Sequence, residues 1–308
     1  MKNILVIGGS YFLGRIFVEA LAPNPDYRLV VVNRGNRPLG LEGVQEIVCD
    51  RNNTTHLREN LPSLSWDGVV DFCGYTPKDV RNVVLALPRG SVGHYIFIST
   101  TSVYAPTFLL PIRENGTKLS GPQPELGPAA GYGFQKWLAE QTVSTHARQL
   151  GFPCTCLRPS IIYGPYNYAP RERYFFDLID RNQIVILPDN ELALFQFVSV
   201  WDVAEIITLS MGNPETFGKA FNLSAEELIS YKRLVEVLEA ITERQIPTRT
   251  MPVPEIDARR IPLPFPLDSH LIYSGDLVRQ TLGFPYMSFT TGMQKTYRWY
   301  RQTTTHSE

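Results

Sequence analysis

Two residues near the middle of the chain have the spacing for proton transfer. Tyr132 and Lys136, in GYGFQKWLAEQ, lie four apart at the start of a helical pattern that runs to Leu150, so they share one helix face. A free phenol ionises near about 10, too high for base work at neutral pH, and a neighbouring ammonium lowers that value. A tyrosine tuned in this way can pass a proton to or from a hydroxyl or ketone while hydride moves to or from a nicotinamide. Taken alone, a Y-x-x-x-K pair also arises by chance and reads first as structural.

The second group is Gly8, Gly9 and Gly14 in VIGGSYFLGR, between an apolar run and a helical pattern. Glycines there let the backbone turn tightly and bring the N–H groups of a helix start up to a pyrophosphate. Ser10, Tyr11, Phe12 and Leu13 complete the candidate loop, the alternative being a plain turn. Tyr11 stands where such loops carry another glycine. Its ring is expected to point to the pyrophosphate or the cleft mouth, or else to pack on a second lobe.

The next apolar run ends in VVVNRGNR without an acid at its tip. An NAD site places an acid there for the ribose hydroxyls, whereas a guanidinium suits a 2′-phosphate. Asn33, Arg34 and Arg37 therefore favour NADP over NAD, unless the arginines are simply solvated. Asp50, with Arg51 beside it, could take the adenine amino group or serve a turn. Cys73 and Gly74 are further cofactor-side candidates. The hydroxyl run Ser99, Thr100, Thr101, Ser102 follows another apolar strand, where one of them could polarise a carbonyl or merely build a turn.

These residues need a frame. Nearly continuous apolar runs at 3–7, 28–33, 45–49, 68–72, 94–99 and 154–158 suit strands buried on both faces. Helical patterns at 12–22, 53–60, 78–87 and 132–150 separate them. The fold class is α/β, a Rossmann-like doubly wound parallel sheet. Beyond it lie helix patterns at 171–181, 202–211, 231–242 and 292–301, and a proline-rich loop at 261–268. A cofactor-binding domain of 1–167 plus about 196–224 is expected, interleaved with a smaller α/β substrate lobe of about 168–195 and 225–308.

The bulk composition narrows the function. The 308 residues carry a net charge of -1, so nucleic acid is an unlikely partner. No apolar run approaches a membrane span. MKNILVIGG leads directly into the glycine turn and reads as a first strand, so the protein is expected to be cytoplasmic. Cys49, Cys73, Cys154 and Cys156 have no Cys/His cluster near them, and no metal is expected.

The joint order of these segments resembles the extended short-chain dehydrogenase/reductases, the NAD(P)-dependent sugar-nucleotide epimerases and dehydratases. ISTTSVY, the Tyr132/Lys136 pair, LRPSIIYGP, FVSVWDVAEII, FNLS and LGF carry the resemblance over nearly the whole length. GGSYFLG, VNRG and PFPLDSH are closer to an atypical branch that includes chloroplast stem-loop-binding proteins. The resemblance implies Tyr132 as acid/base, Lys136 as the residue that holds the nicotinamide ribose and tunes Tyr132, and Thr100 as the substrate-polarising hydroxyl. It also implies a homodimer built on the helix that carries Tyr132.

Three departures matter. Thr101 and Ser102 replace the acid pair of the dehydratases, which argues against a sugar 4,6-dehydratase. Phe195, with Gln196 beside it, stands where an arginine clamps a substrate diphosphate. Arg171 and Arg173 could compensate, giving Thr101, Arg171, Arg173 and Gln196 as the substrate-side candidates. Tyr11 is the third departure. The leading expectation is an enzyme transferring hydride at a secondary alcohol or ketone of a small molecule, a sugar nucleotide or related metabolite. Epimerase and reductase are not separated. A second reading is a non-catalytic NADP-binding sensor or RNA-associated protein, and a third is a structural partner in a biosynthetic complex.

Overall fold

A computed structural model describes residues 1–190 and 193–304. The first half alternates as the apolar runs require: β1 (Lys2–Ile7), α1 (Phe12–Leu21), β2 (Tyr27–Asn33), β3 (Val44–Val48), α2 (Thr54–Asn60), β4 (Gly68–Asp71), α3 (Pro77–Ala86), β5 (Tyr95–Ile98), α4 (Tyr132–Leu150) and β6 (Cys154–Pro159). α4 stops at Gly151, whose φ of 75° is the left-handed conformation that glycine adopts without a Cβ penalty.

The rest is built from shorter pieces: β7 (Ile161–Tyr163), α5 (Glu172–Asp180), β8 (Val185–Pro188), β9 (Phe197–Ser199), α6 (Val200–Ser210), β10 (Ala220–Leu223), α7 (Tyr231–Thr242), β11 (Thr248–Met251), α8 (Val253–Ala258), α9 (Asp276–Leu282) and α10 (Phe289–Thr304). α6 begins two residues earlier than the apolar pattern suggests, because the Ser199 hydroxyl caps it by accepting from the Asp202 N–H. The proline-rich stretch at 261–268 is loop.

The main sheet has seven strands in the order β10-β6-β5-β4-β1-β2-β3. Every pairing in it is parallel. The chain moves outward from β1 to β3, then returns to the other side of β1 with β4. That reversal opens a crevice beyond the carboxyl ends of β1 and β4. One face of the sheet packs on α1 and α6, joined by Val278 of α9 and by Phe284. The other packs on α2, α3 and α4. A separate aromatic core gathers Tyr163, Phe175, Phe176, Phe195, Phe197, Phe265 and Phe289 among α5, α7 and α10.

Candidate active site

The carboxyl ends of the central strands open on a cavity of about 810 Å³. The glycine loop forms one wall. Gly8 has φ 88°, and a Cβ there would lie 2.6 Å from the Cys73 Sγ. A Cβ on Gly14 would lie 2.5 Å from the Gly8 carbonyl oxygen, so the first turn of α1 rests directly on the end of β1. No side chain caps α1 and no acid sits in its first turn. Its leading N–H groups, which have no partner within the helix, are therefore left for an anion. Ser10, Tyr11, Phe12 and Leu13 line the cavity beside Gly8 and Gly14. Gly9 does not. It backs onto Val6, Val18 and Val31, where a side chain would not fit. Phe12 holds a left-handed φ of 45°, and its buried ring meets the edge of Tyr168 at 5.7 Å.

The tip of β2 forms the next wall. Asn33 and Arg34 line the cavity. The Asn33 amide donates to Glu46 Oε2 at 2.9 Å and its Oδ1 accepts the Gly35 N–H at 2.7 Å. Glu46 Oε1 accepts the N–H groups of Leu39 at 2.9 Å and Gly40 at 3.3 Å. An acid does reach this tip, then, from β3 rather than β2, and it is spent on pinning the arginine loop. Arg37 stands outside the cavity lining, its guanidinium 3.9 Å from the centre of the Tyr11 ring. Tyr168, from the segment after β7, lies 6.2 Å from the same ring. Tyr11 thus lines the cleft and meets the segment opposite.

Asp50 is exposed on the cavity wall, where its carboxylate accepts the Asn52 N–H at 2.9 Å. Arg51 borders the cavity with both of its terminal nitrogens engaged and only its buried Nε without a partner. Its guanidinium grips Asp71 through two bonds of 2.6 and 2.7 Å and donates to the Asp79 carbonyl at 2.8 Å. Asp71 also accepts from the Tyr95 hydroxyl at 2.8 Å. Burial alone would push the Asp71 carboxyl up, but the Arg51 charge outweighs it and holds the pKa below the usual range. Arg51 is thus first the buried partner of Asp71, and the Nε is what it has left to offer at the cavity. Cys73 lines the cavity, whereas Gly74 lies behind it and offers its carbonyl to Lys136.

The first turn of α4 brings Tyr132 and Lys136 to the cavity beside Thr100, at the end of β5. Lys136 is 2% exposed, and its ammonium donates to the carbonyls of Gly74 at 2.8 Å and Ile98 at 2.5 Å. Burial pushes its pKa down to about 8, against the opposing pull of Asp71 and Glu140. Tyr132 is 42% exposed, and its hydroxyl is within hydrogen-bonding reach of Thr100. The expectation that Lys136 lowers the Tyr132 phenol is not met here. Burial raises the phenol, and it is the Thr100 hydrogen bond and the Arg171 charge that work against that rise. The Lys136 ammonium instead donates to the Gly74 and Ile98 carbonyls. Thr100 accepts the Ser102 N–H at 3.1 Å, and Thr101 lines the cavity within reach of Tyr273.

Two buried hydroxyls add to the site, and one of them, Ser160, escaped the sequence. Ser99 and Ser160 end neighbouring strands β5 and β6, line the cavity, and carry buried hydroxyls with no hydrogen-bond partner. Such orphaned groups point to a ligand. Ser99 was visible in the hydroxyl run. Ser160 carried no signal, because its role depends on the strand beside it.

The substrate-side candidates separate. Arg171 lines the cavity and donates to the Ile162 carbonyl at 2.8 Å. Arg173 does not: its side chain is 67% exposed and pairs with Asp177 at 3.6 Å. Two residues along a helix turn a side chain to the far face. Gln196 is buried away from the cavity, donating to the Ala225 carbonyl at 2.8 Å and accepting from the Tyr273 N–H at 2.7 Å. Phe195 is 0% exposed, stacked 5.0 Å from Phe265. Pro264, Phe265, Pro266, Leu271 and Tyr273 also line the cavity, so the proline-rich loop supplies lining that its composition did not announce. Among the described residues no His/Cys/Asp/Glu group could hold a metal, and no helix is long and apolar enough to cross a membrane.

Known proteins resemble this chain. The chain is 24% identical over 249 residues to a chloroplast stem-loop binding protein of 41 kDa from Arabidopsis thaliana, covering 76% of this chain and 62% of that relative's length. A UDP-glucose 4-epimerase from Thermotoga maritima, solved with UDP-glucose, superposes with a TM-score of 0.81 at 19% identity, covering 98% of this chain and 100% of that one. A UDP-glucuronic acid 4-epimerase from Bacillus cereus, solved with UDP-glucuronic acid and NAD, gives 0.77 at 17% identity, covering 98% and 99%. At these identities the likeness to solved structures is one of fold. The model of the NAD dependent epimerase/dehydratase family matches residues 4–224, well over half of the sequence, and the chain belongs to that family.

Proposed function

We propose that this protein is an NADP-dependent epimerase or reductase that transfers hydride at a secondary alcohol or ketone of a sugar nucleotide or related metabolite. The observation that carries this reading is the meeting of Tyr132, Thr100 and Lys136 on the same cavity as the uncapped start of α1. The cradle fits a dinucleotide, since Gly8 and Gly14 leave no room for a Cβ and Ser99 offers an unpartnered hydroxyl. A bound nicotinamide would supply and accept hydride. The residues do the rest. The Tyr132 phenol, raised by burial, is protonated at neutral pH and set to give its proton to a substrate oxygen held by Thr100. The Arg171 charge favours the phenolate in the reverse direction. Thr101 and Ser102 supply no carboxylic acid, so dehydration is not proposed.

The cofactor preference departs from the NAD seen with the Bacillus cereus protein. It rests on Arg34 at the cavity and on the occupation of Glu46 by loop N–H groups. Arg34→Glu is expected to weaken NADP(H) binding about tenfold or more, the loss of one charge-assisted phosphate contact, and to leave NAD(H) nearly unchanged. Equal effects would remove the preference. Turnover of sugar nucleotides with and without NADPH separates the two activities: an epimerase works without consuming cofactor, whereas a reductase consumes it stoichiometrically.

The cofactor unit of this reading is 1–167 with 196–224, and the substrate lobe is 168–195 with 225–308, apart from α9, which packs on the first core. A homodimer built on α4, the helix that carries Tyr132 and Lys136, is part of the same reading. Light scattering at the monomer mass would reject it. The name of the Arabidopsis relative keeps a second reading open, a non-catalytic RNA-associated protein. Tight RNA binding at physiological salt, with no turnover of any substrate, would favour it.

A further inference from the structure

The glycine loop and the arginine loop meet at one contact outside the hydrogen-bond network. The Arg37 guanidinium lies over the Tyr11 ring at 3.9 Å. The two residues belong to different connections, β1 to α1 and β2 to β3. Each is fixed at its backbone. Tyr11 is the extended N-cap of α1, with φ -148°, and is followed by Phe12 in its left-handed conformation. Arg37 rides on a loop that Glu46 pins through the Leu39 and Gly40 N–H groups and that Asn33 pins through Gly35. On its own an exposed arginine has many rotamers. A planar guanidinium that stacks on an aromatic face keeps one orientation and leaves its edge N–H groups free for phosphate. Arg37 lies three residues beyond Arg34, which lines the cavity with Tyr11 at the tip of β2, where an adenosine 2′-phosphate is read in folds of this type.

We propose that Tyr11 is a positioning residue for cofactor selectivity: its ring holds Arg37 in place, so that Arg34 and Arg37 read a 2′-phosphate together. The aromatic ring at a usual glycine position is then a platform, and its hydroxyl is dispensable. This rests on the NADP reading above.

The test measures dissociation constants for NADPH and NADH by quenching of intrinsic fluorescence in wild type, Tyr11→Phe, Tyr11→Leu, Arg37→Ala and the double variant Tyr11→Leu/Arg37→Ala. Tyr11→Leu keeps an apolar side chain and loses the π face. It is expected to lower the NADPH-over-NADH preference roughly threefold to tenfold, the scale of a partly exposed cation–π contact acting on a phosphate ligand. Tyr11→Phe should retain the preference, and the double variant should be no worse than Arg37→Ala alone. Equal weakening of both cofactors by Tyr11→Leu, an unmoved ratio, or additive losses in the double variant would overturn the proposal. Thermal melts of each variant guard against loss of fold, with Tyr11→Phe as the conservative check. A wild type with no NADPH preference overturns the cofactor reading itself. A wild-type preference that Tyr11→Leu leaves intact overturns only the role given to Tyr11.

Discussion

Lys136 is a buried cation whose environment sets a pH window. Its pKa falls from the usual 10.5 to about 8 in the folded chain. Between those values the unfolded chain holds the extra proton, so this group makes stability rise as pH increases through the window. Below pH 8 the lysine is charged in both states and that gain is absent. Lys136→Met should flatten the rise, as read by denaturant titrations at about pH 7.5, below the window, and about pH 10, near its upper end. Any turnover step that needs the ammonium should weaken as pH climbs through about 8, and a pH profile checks this. Tyr132→Phe removes only the proton carrier. It is expected to cut turnover by about 10²–10⁴-fold while NADPH still binds, as measured by fluorescence titration.

The strands and helices that hold these groups differ in how openly the sequence declared them. β1, β2 and β5 are buried apolar runs, and α4 is a long helix with a glycine stop, so all were legible. β7, β8, β9 and β11 have three or four residues and pair with partners far along the chain, which leaves too short a period to read. The site divides in the same way. Spacing within one element announced the glycine loop and the Tyr132/Lys136 pair. Partners brought from other elements, such as Glu46 for Asn33 or Asp71 for Arg51, were invisible. Two element contacts give firm tests. Glu140→Ala strands the Arg158 guanidinium, which β6 holds 2.6 Å from Glu140 on α4, and should cost about 3–5 kcal/mol in a denaturant titration. Gly14→Ala drives a methyl onto the Gly8 carbonyl and should cost about 1–3 kcal/mol, with NADPH affinity lost alongside.

The molecule as a whole places its cavity where a sheet-based core and an aromatic core face each other. Arg34 and Asp50 come from the first side, and Phe265 and Leu271 from the second. A dinucleotide bound there is expected to stabilise the folded chain by about 2.7 kcal/mol at about a hundred times its dissociation constant. Melting curves with NADPH and NADH at matched concentration report the size and the preference together. The overall architecture was legible because alternation of strand and helix admits few topologies. The membership of the wall was not, since Pro264 and Phe265 reach the cavity only through contacts that no local pattern encodes.

The burial of Phe195 has a consequence for altering what the protein accepts. Its ring is locked among Phe197, Tyr231 and Phe265, so an arginine introduced at that position would arrive as an unpaired charge inside an aromatic stack. Redesign toward a more anionic substrate would have to begin elsewhere, at Leu271 or Pro266, whose side chains already face the cavity. Evolution would meet the same barrier: from this sequence, acquiring a diphosphate grip at 195 requires rebuilding the lobe first, so new specificities should be sought along the proline-rich rim.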